Sequence, residues 1–265
     1  GNDSHVERSG EIIEFTVGTE PVVTPGTVTI KDKRYVDITG VVTNSQGLKL
    51  GDLQIGIRTN PRALFDGWYG TTGTSADGRY TKRLQAFNEE STTYDVRNHA
   101  QSISSDNYWN NTYYNDVWAT ITDEQGVYPA WLRELKLESS IEVPAGVTGE
   151  QFSLNLNVTQ DLQKATLTVL SDAGDAQVGT SVYIQRRDIY GDWHGLSSLS
   201  TDTDGIVAIY LPAIIDEREG YRWEIRPTND SNVERSGEVI EFTVGDAPVS
   251  TPGTVIIKDK RYIDI

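Results

Sequence analysis

The sequence predicts an all-β protein of tandem β-sandwiches, part of a longer repeat array. Three observations carry this. One segment occurs twice: Asn2–Ile38 and Asn229–Ile265 differ at seven positions and lie 227 residues apart without a gap. Self-similarity at a fixed period is the mark of repeat architecture. Apolar residues fall in short runs set apart by Gly, Asp, Asn and Ser turn signals, the pattern of sandwich strands. No stretch carries a convincing helical period, and the best helix candidate is the short run Pro129–Leu137, PAWLRELKL.

In chain order, residues 1–18 read as the terminal strand of a preceding copy of the second module. The strand itself is EIIEFTV at 11–17, with Ile12, Ile13, Phe15 and Val17 as its apolar residues. Residues 19–27 hold Pro21 and Pro25 and read as a semi-rigid linker, since proline cannot donate to a ladder and stiffens the chain. Residues 28–160 form the first module. Strand character runs from Val28 to Thr43, and Asn44-Ser45-Gln46-Gly47 makes a turn. Leu53, Ile55 and Ile57 alternate with polar or small residues, a second strand follows the Thr74–Tyr80 turn, and another spans Tyr94–Arg97. An insertion of about residues 99–138 interrupts this module, and Phe152–Val158 closes it as one alternating strand.

Residues 161–244 form the second module. Its strands are expected at Ala165–Leu170, Val182–Ile184, from Gly205 through Leu211, at Tyr221–Ile225 and at Glu238–Val244. Residues 245–265 repeat the linker and begin the next first module. Trp68 matches Trp193 at an offset of 125, while Asp77, Leu84 and Tyr94 match Asp204, Leu211 and Tyr221 at 127. The period therefore contains two diverged copies of one design.

Composition narrows the function. The net charge is −16, from 39 acidic and 23 basic residues. Such a chain repels nucleic acid and anionic membrane, so neither is a partner. There is no cysteine, hence no disulfide frame, thiolate metal site or thiol nucleophile. There is no methionine either, which reads as an excerpt or a processed product. No run of about 18 apolar residues occurs, so nothing within the segment spans a membrane as a helix.

The succession of strand, small-residue turn, strand, T-D-x-x-G-like turn, apolar strand and Tyr-x-Val resembles the carboxypeptidase-regulatory-like family. That family shares its transthyretin-like or immunoglobulin-like sandwich with the Cna B-type domains of surface adhesins. The residues that carry the resemblance are Thr39–Val42, Thr74–Tyr80 and Tyr94–Val96 in the first module, with Thr201–Gly205 and Tyr221–Ile225 in the second. It implies an extracellular stalk, adhesin or filament module at the cell surface. Some Cna B-type domains carry a Lys–Asn isopeptide bond, for which Lys33 or Lys164 and Asn155 or Asn157 match by residue type alone.

Signals of catalysis are poor. His5, His99 and His194 occupy unrelated positions, and His5 is Asn232 in its twin. No nucleophile elbow, zinc motif or P-loop occurs, so no enzyme is expected and no cofactor is required. Asp202 and Asp204 offer oxygen ligands of the kind Ca²⁺ takes, but their spacing fails the EF-hand loop, and an Asx-capped turn explains Asp and Gly together. Tyr108, Trp109, Tyr113, Tyr114 and Trp118 sit among Asn and Asp within 104–118. Flat rings beside amides suit stacking on sugars or packing on a partner. Trp68 and Trp193 read as packing under the loop of each sandwich rather than as ligands. Asn110, Asn157 and Asn229 head N-x-S/T acceptors.

The expected function is a structural repeat of an extracellular surface fibre, filament or stalk, extending by modules and packing on neighbouring copies of the same repeat. The alternative is an adhesin module that binds glycan or protein through residues 104–118. Strand 11–17 has no sheet of its own in this reading, and it is expected to complete one in a neighbouring copy.

Overall fold

The computed structural model describes residues 6–10, 19, 28–60, 69–87, 90–98, 115–135, 137–146, 151–228 and 233–259. Among them are twenty strands and no helix.

In the first sandwich, β2 (Val28–Asn44) is the organising strand. It runs antiparallel to β6 (Arg79–Phe87) and parallel to two short closing strands, β11 (Gln151–Ser153) and β12 (Leu156–Val158). The facing sheet has the order β10-β7-β4-β5, built from Glu138–Val143, Thr92–Asn98, Gln54–Asn60 and Tyr69–Gly73. Val36, Ile38, Leu84, Ile55, Ile57, Tyr94 and Val96 meet between the sheets, all buried. Alternation along each strand puts every second side chain on that inner face.

The second sandwich repeats this plan. Strand β13 (Leu162–Ser171) runs antiparallel to β16 (Ile206–Pro212) and parallel to β20 (Val249–Asp259). The facing sheet, β15-β14-β17-β19, is formed by Trp193–Ser200, Ser181–Arg187, Gly220–Arg226 and Val239–Phe242. Leu167, Val169, Ile209, Leu211, Val182, Ile184, Tyr221 and Trp223 fill the core.

The turn chemistry repeats too. Thr74 Oγ1 donates to the Leu50 carbonyl and accepts from the Leu53 amide. Thr201 Oγ1 does the same with Gln177 and Thr180. Gly78 and Gly205 each take a positive φ, +74° and +73°, and their carbonyls accept from the Val42 and Val169 amides.

Three expectations change. Pro129–Leu137 is not helical: β9 (Gly126–Leu135) pairs with β8 (Asn115–Asp123) as an antiparallel hairpin. Its Ala and Leu content favours a helix, but Trp131 is buried on one face and Ala130 and Leu132 on the other, and burial on both faces wins. The closing strand 152–158 is broken at Leu154. There the Leu154 carbonyl closes onto Gly40, where a Cβ would collide with it, and accepts from Tyr80 Oη at 2.6 Å. Asn155 Oδ1 takes the Val41 amide instead, at 3.1 Å. Finally, Val249–Thr254, expected as linker, is strand. It lies beside β13 with Pro252 opposite Thr168, and there, among the described residues, the strand has a neighbour on one side only, a position that tolerates proline.

Three more strands complete the set. β3 (Leu50–Gly51) pairs with β8. β1 (Val6–Gly10) and β18 (Val233–Ser236) pair with the start of β2 and the end of β20. Strand 11–17 and the linker at 20–27 lie outside the described residues.

Candidate interface between the two sandwiches

The β8–β9 hairpin arises from the expected insertion and joins the two sandwiches. On the first side β8 pairs with β3, Leu50 opposite Ile121. On the second side β9 meets β16 in parallel at Ala130 and Tyr210. One sheet thus runs continuously from β20 through β13, β16, β9 and β8 to β3.

The two faces of β9 serve different cores. Ala130 and Leu132 belong to the first core. Trp131, 1% exposed, belongs to the second. Its ring meets Tyr221 edge-on, centroids 6.3 Å apart at 79°, and the Arg186 guanidinium lies 5.3 Å from its centre. Aromatic pairs of this geometry and cation–π contacts each stabilise beyond simple area burial.

Next along β9, Arg133 crosses to the second sandwich. Its Nη1 donates to both oxygens of Glu219, at 2.8 and 2.9 Å. Glu219 is 4% exposed and also accepts the Ile215 and Asp216 amides. Burial works to raise the Glu219 carboxyl, but the Ile215 amide and the Arg133 guanidinium outweigh it and hold the group below its ordinary range. A buried pair is costly unless its remaining polar atoms are satisfied. The two amides do this for the carboxylate, while Arg133 Nε and Nη2 have no hydrogen-bond partner among the described residues and the guanidinium lies 5.9 Å from the Trp131 ring centre.

At the hairpin's turn end, Asp123 Oδ2 accepts from Lys164 Nζ at 2.9 Å and from Tyr210 Oη at 2.8 Å. Lys164 also donates to Gln125 Oε1 at 2.7 Å and lies 3.6 Å above the Tyr128 ring. Burial pushes the Asp123 carboxyl up, but the Lys164 ammonium, the Gln125 amide and the Tyr210 hydroxyl bring it below the usual value. The residues between the sandwiches are tied as well. Gln160 Oε1 accepts the Arg133 amide at 3.0 Å, and its carbonyl accepts from Asn44 Nδ2 at 3.2 Å. The Leu162 amide donates to Gln46 Oε1 at 2.8 Å. No free linker separates the two bodies.

The sequence-derived sites distribute as follows. Trp118 is on β8, directly across from Trp131 and 39% exposed, at the border of this interface. Tyr108, Trp109, Tyr113 and Tyr114 lie outside the described residues, as do Ile12, Ile13, Phe15, Val17, Asn110, Asn229 and Trp68. The twins of the 11–17 residues are seen: Ile240 and Phe242 on β19 pack on the second core, with Phe242 stacked on Trp223 at 5.4 Å. Asp202 makes an Asx turn, its Oδ1 accepting the Asp204 and Ile206 amides. Among the described residues no group of three or more His, Asp or Glu is arranged for a metal.

Of the isopeptide candidates, the Lys33 side chain is outside the description, and Lys164 is bound to Asp123 and Gln125. Asn155 caps the Val41 amide, and Asn157 is exposed on β12. Trp193 is not a core residue. It lies on β15, partly exposed, with Arg222 at 4.3 Å and Arg187 at 5.5 Å from its ring centre.

Sequence reading missed Trp131, Arg133, Asp123 and Glu219 as a group. Trp131 and Arg133 fall within the helix candidate Pro129–Leu137, and nothing distinguishes Glu219 within the charged run Asp216–Glu219. No helix among the described residues is long and apolar enough to cross a membrane.

No family model and no curated protein matches the chain. Among solved structures, it is similar to the shaft pilin SpaA from Lactobacillus rhamnosus GG, with 9% identity, TM-score 0.42, and 88% of this chain and 100% of that chain covered. It is also similar to GBS52, the minor pilin of Streptococcus agalactiae, with 11% identity, TM-score 0.29, and 88% and 99% covered. A streptococcal ancillary pilin matches with 10% identity and TM-score 0.30 over 92% of this chain and 68% of that one.

Proposed function

We propose that the chain is a structural repeat of an extracellular surface fibre or stalk, in which the two sandwiches act as one stiff spacer. The observation that supports this is the sharing of β9 between two cores, with Trp131 in one and Ala130 and Leu132 in the other. Domains that move independently meet over small polar surfaces joined by flexible linkers. Here the connection is a sheet with buried aromatic and ionic contacts. Stiffness of this kind suits reach. The acidic surface keeps neighbouring copies soluble when crowded.

Two measurements test the reading. Spin labels on Asn157 and Ser198 should give a single narrow distance distribution, and a broad one overturns the stiff spacer. Antibody against the chain should label extended structures on intact source cells. Labelling confined to the cell interior overturns the surface assignment.

A further inference from the structure

The duplicated segment folds twice in the same register. In the first copy Val6 stands opposite Asp32 and Ser9 opposite Thr29. In the second, Val233 stands opposite Asp259 and Ser236 opposite Ile256. The offset of 227 carries one pairing onto the other without a slip. A slip of one residue would turn every side chain to the opposite face, so two copies in one register mark a specified pairing.

The two copies occupy different places. The first ribbon leads into the first sandwich: beyond it, β2 pairs with β6 from Lys33 onward. The second ribbon leaves the second sandwich: before it, β20 lies beside β13 from Val249 to Val255. After Asp259 the sequence continues KRYIDI, against KRYVDI at Lys33–Ile38.

We propose that, where the repeat continues, the last strand of the second sandwich and the first strand of the following first sandwich are one unbroken strand. The ribbon of β18 and β20 is then the joint between repeats, and the partner it receives is another copy of the first sandwich. A two-stranded ribbon alone is marginal, but this one is rooted in a sheet at each end. Glu234 stands opposite Lys258, adding a favourable cross-strand charge pair. Two unlike joints then alternate along the fibre: the β8–β9 hairpin within a repeat, and a shared strand between repeats.

The proposal rests on reading the chain as a repeat, but its test does not need a cell. Residues 39–265 are appended in phase after Ile265, and amide hydrogen exchange is followed at 260–265. These amides should exchange at least about 100-fold more slowly than in the single chain, as a strand within a cooperative unit does. Unchanged exchange with all sandwiches folded overturns the proposal. Ile256→Pro, at an exposed position of the ribbon opposite Ser236, takes an N–H out of the strand in the extended chain. It should broaden the label distance between the second sandwich and the one that follows, with melting temperatures unaltered; an unaltered distance also overturns the joint. Protection without surface labelling would keep the joint and remove the fibre reading, and labelling without protection would do the reverse.

Discussion

Trp131 and Tyr221 belong to different sandwiches, yet their rings meet edge to face at 6.3 Å within one core. The contact makes the stability of the second sandwich depend on a hairpin inserted into the first.

Trp131→Ala should therefore cost about 3–5 kcal/mol, the range for emptying a large aromatic site in a core. The loss should fall on the second sandwich, separating one cooperative unfolding transition into two. Calorimetry checks this. A loss under about 1 kcal/mol with a single transition would show that the ring is not shared structure.

Arg133 and Glu219 should respond asymmetrically. Glu219→Gln leaves a guanidinium buried without its counter-charge, and Arg133→Met does the converse. Each should cost about 3 kcal/mol. Replacing both by apolar residues of similar volume should cost much less, because no lone charge is left buried. A double-mutant cycle in urea measures the coupling, and strict additivity would refute it.

Acid should weaken the interface. Asp123 and Glu219 are both held below their ordinary values in the folded chain. Their unfolded forms bind protons more readily, so their contribution is complete above about pH 5 and is lost as pH falls through about 4 towards the lowered values. The exposed pairs Asp37–Arg83 and Glu224–Arg226 are screened at about 0.5 M salt. Asp77, Asp188 and Asp216 are lowered as well, in part by hydrogen bonds that salt does not screen, so the interface share is the part of the acid slope of the urea midpoint that substitution at Asp123 or Glu219 removes. Asp123→Asn should reduce that slope, and an unchanged slope would remove Asp123 from the account.

Gly205→Ala and Gly174→Ala separate two costs. Both glycines have positive φ, +73° and +89°. A Cβ at Gly205 would stand 2.6 Å from the Val169 carbonyl oxygen, whereas Gly174 has open space. Gly174→Ala should cost only the backbone term, about 1–2 kcal/mol, and Gly205→Ala clearly more. Equal midpoint shifts in urea would contradict the close approach.

Tyr94 and Tyr221 are matched at the offset of 127. Tyr94 donates its hydroxyl to the Gln85 carbonyl and Tyr221 to the Pro212 carbonyl, nine residues earlier in each case. Tyr→Phe at either site should cost about 1 kcal/mol and shift the one transition reported by probes in both sandwiches; a probe in only one sandwich responding would contradict the coupling.

These matched tyrosines, with Thr74 and Thr201 and with Gly78 and Gly205, show where the sequence is readable. Local turn geometry demands particular residue types at fixed spacing, so the signal survives divergence. The interface is opaque for the opposite reason. Arg133 and Glu219 are 86 residues apart, and single charges in an acidic chain carry no mark of their partner. Strand β9 reads as a helix because both its faces are apolar, which erases the alternation that betrays a half-buried strand. The break at Leu154 depends on the missing Cβ of Gly40, more than a hundred positions away. Such pairings exist only after the chain has folded.

The parallel ladder between β13 and β20 has a mechanical meaning. Pulling the chain by its ends draws the start of β13 one way and the end of β20 the other. The bonds from Ala165–Val249 to Ser171–Val255 then lie across the load and are sheared together, where an antiparallel hairpin would unzip one by one. The pairing of β2 with β11 and β12 puts the first sandwich under the same geometry. A chain built this way bears tension before it yields length.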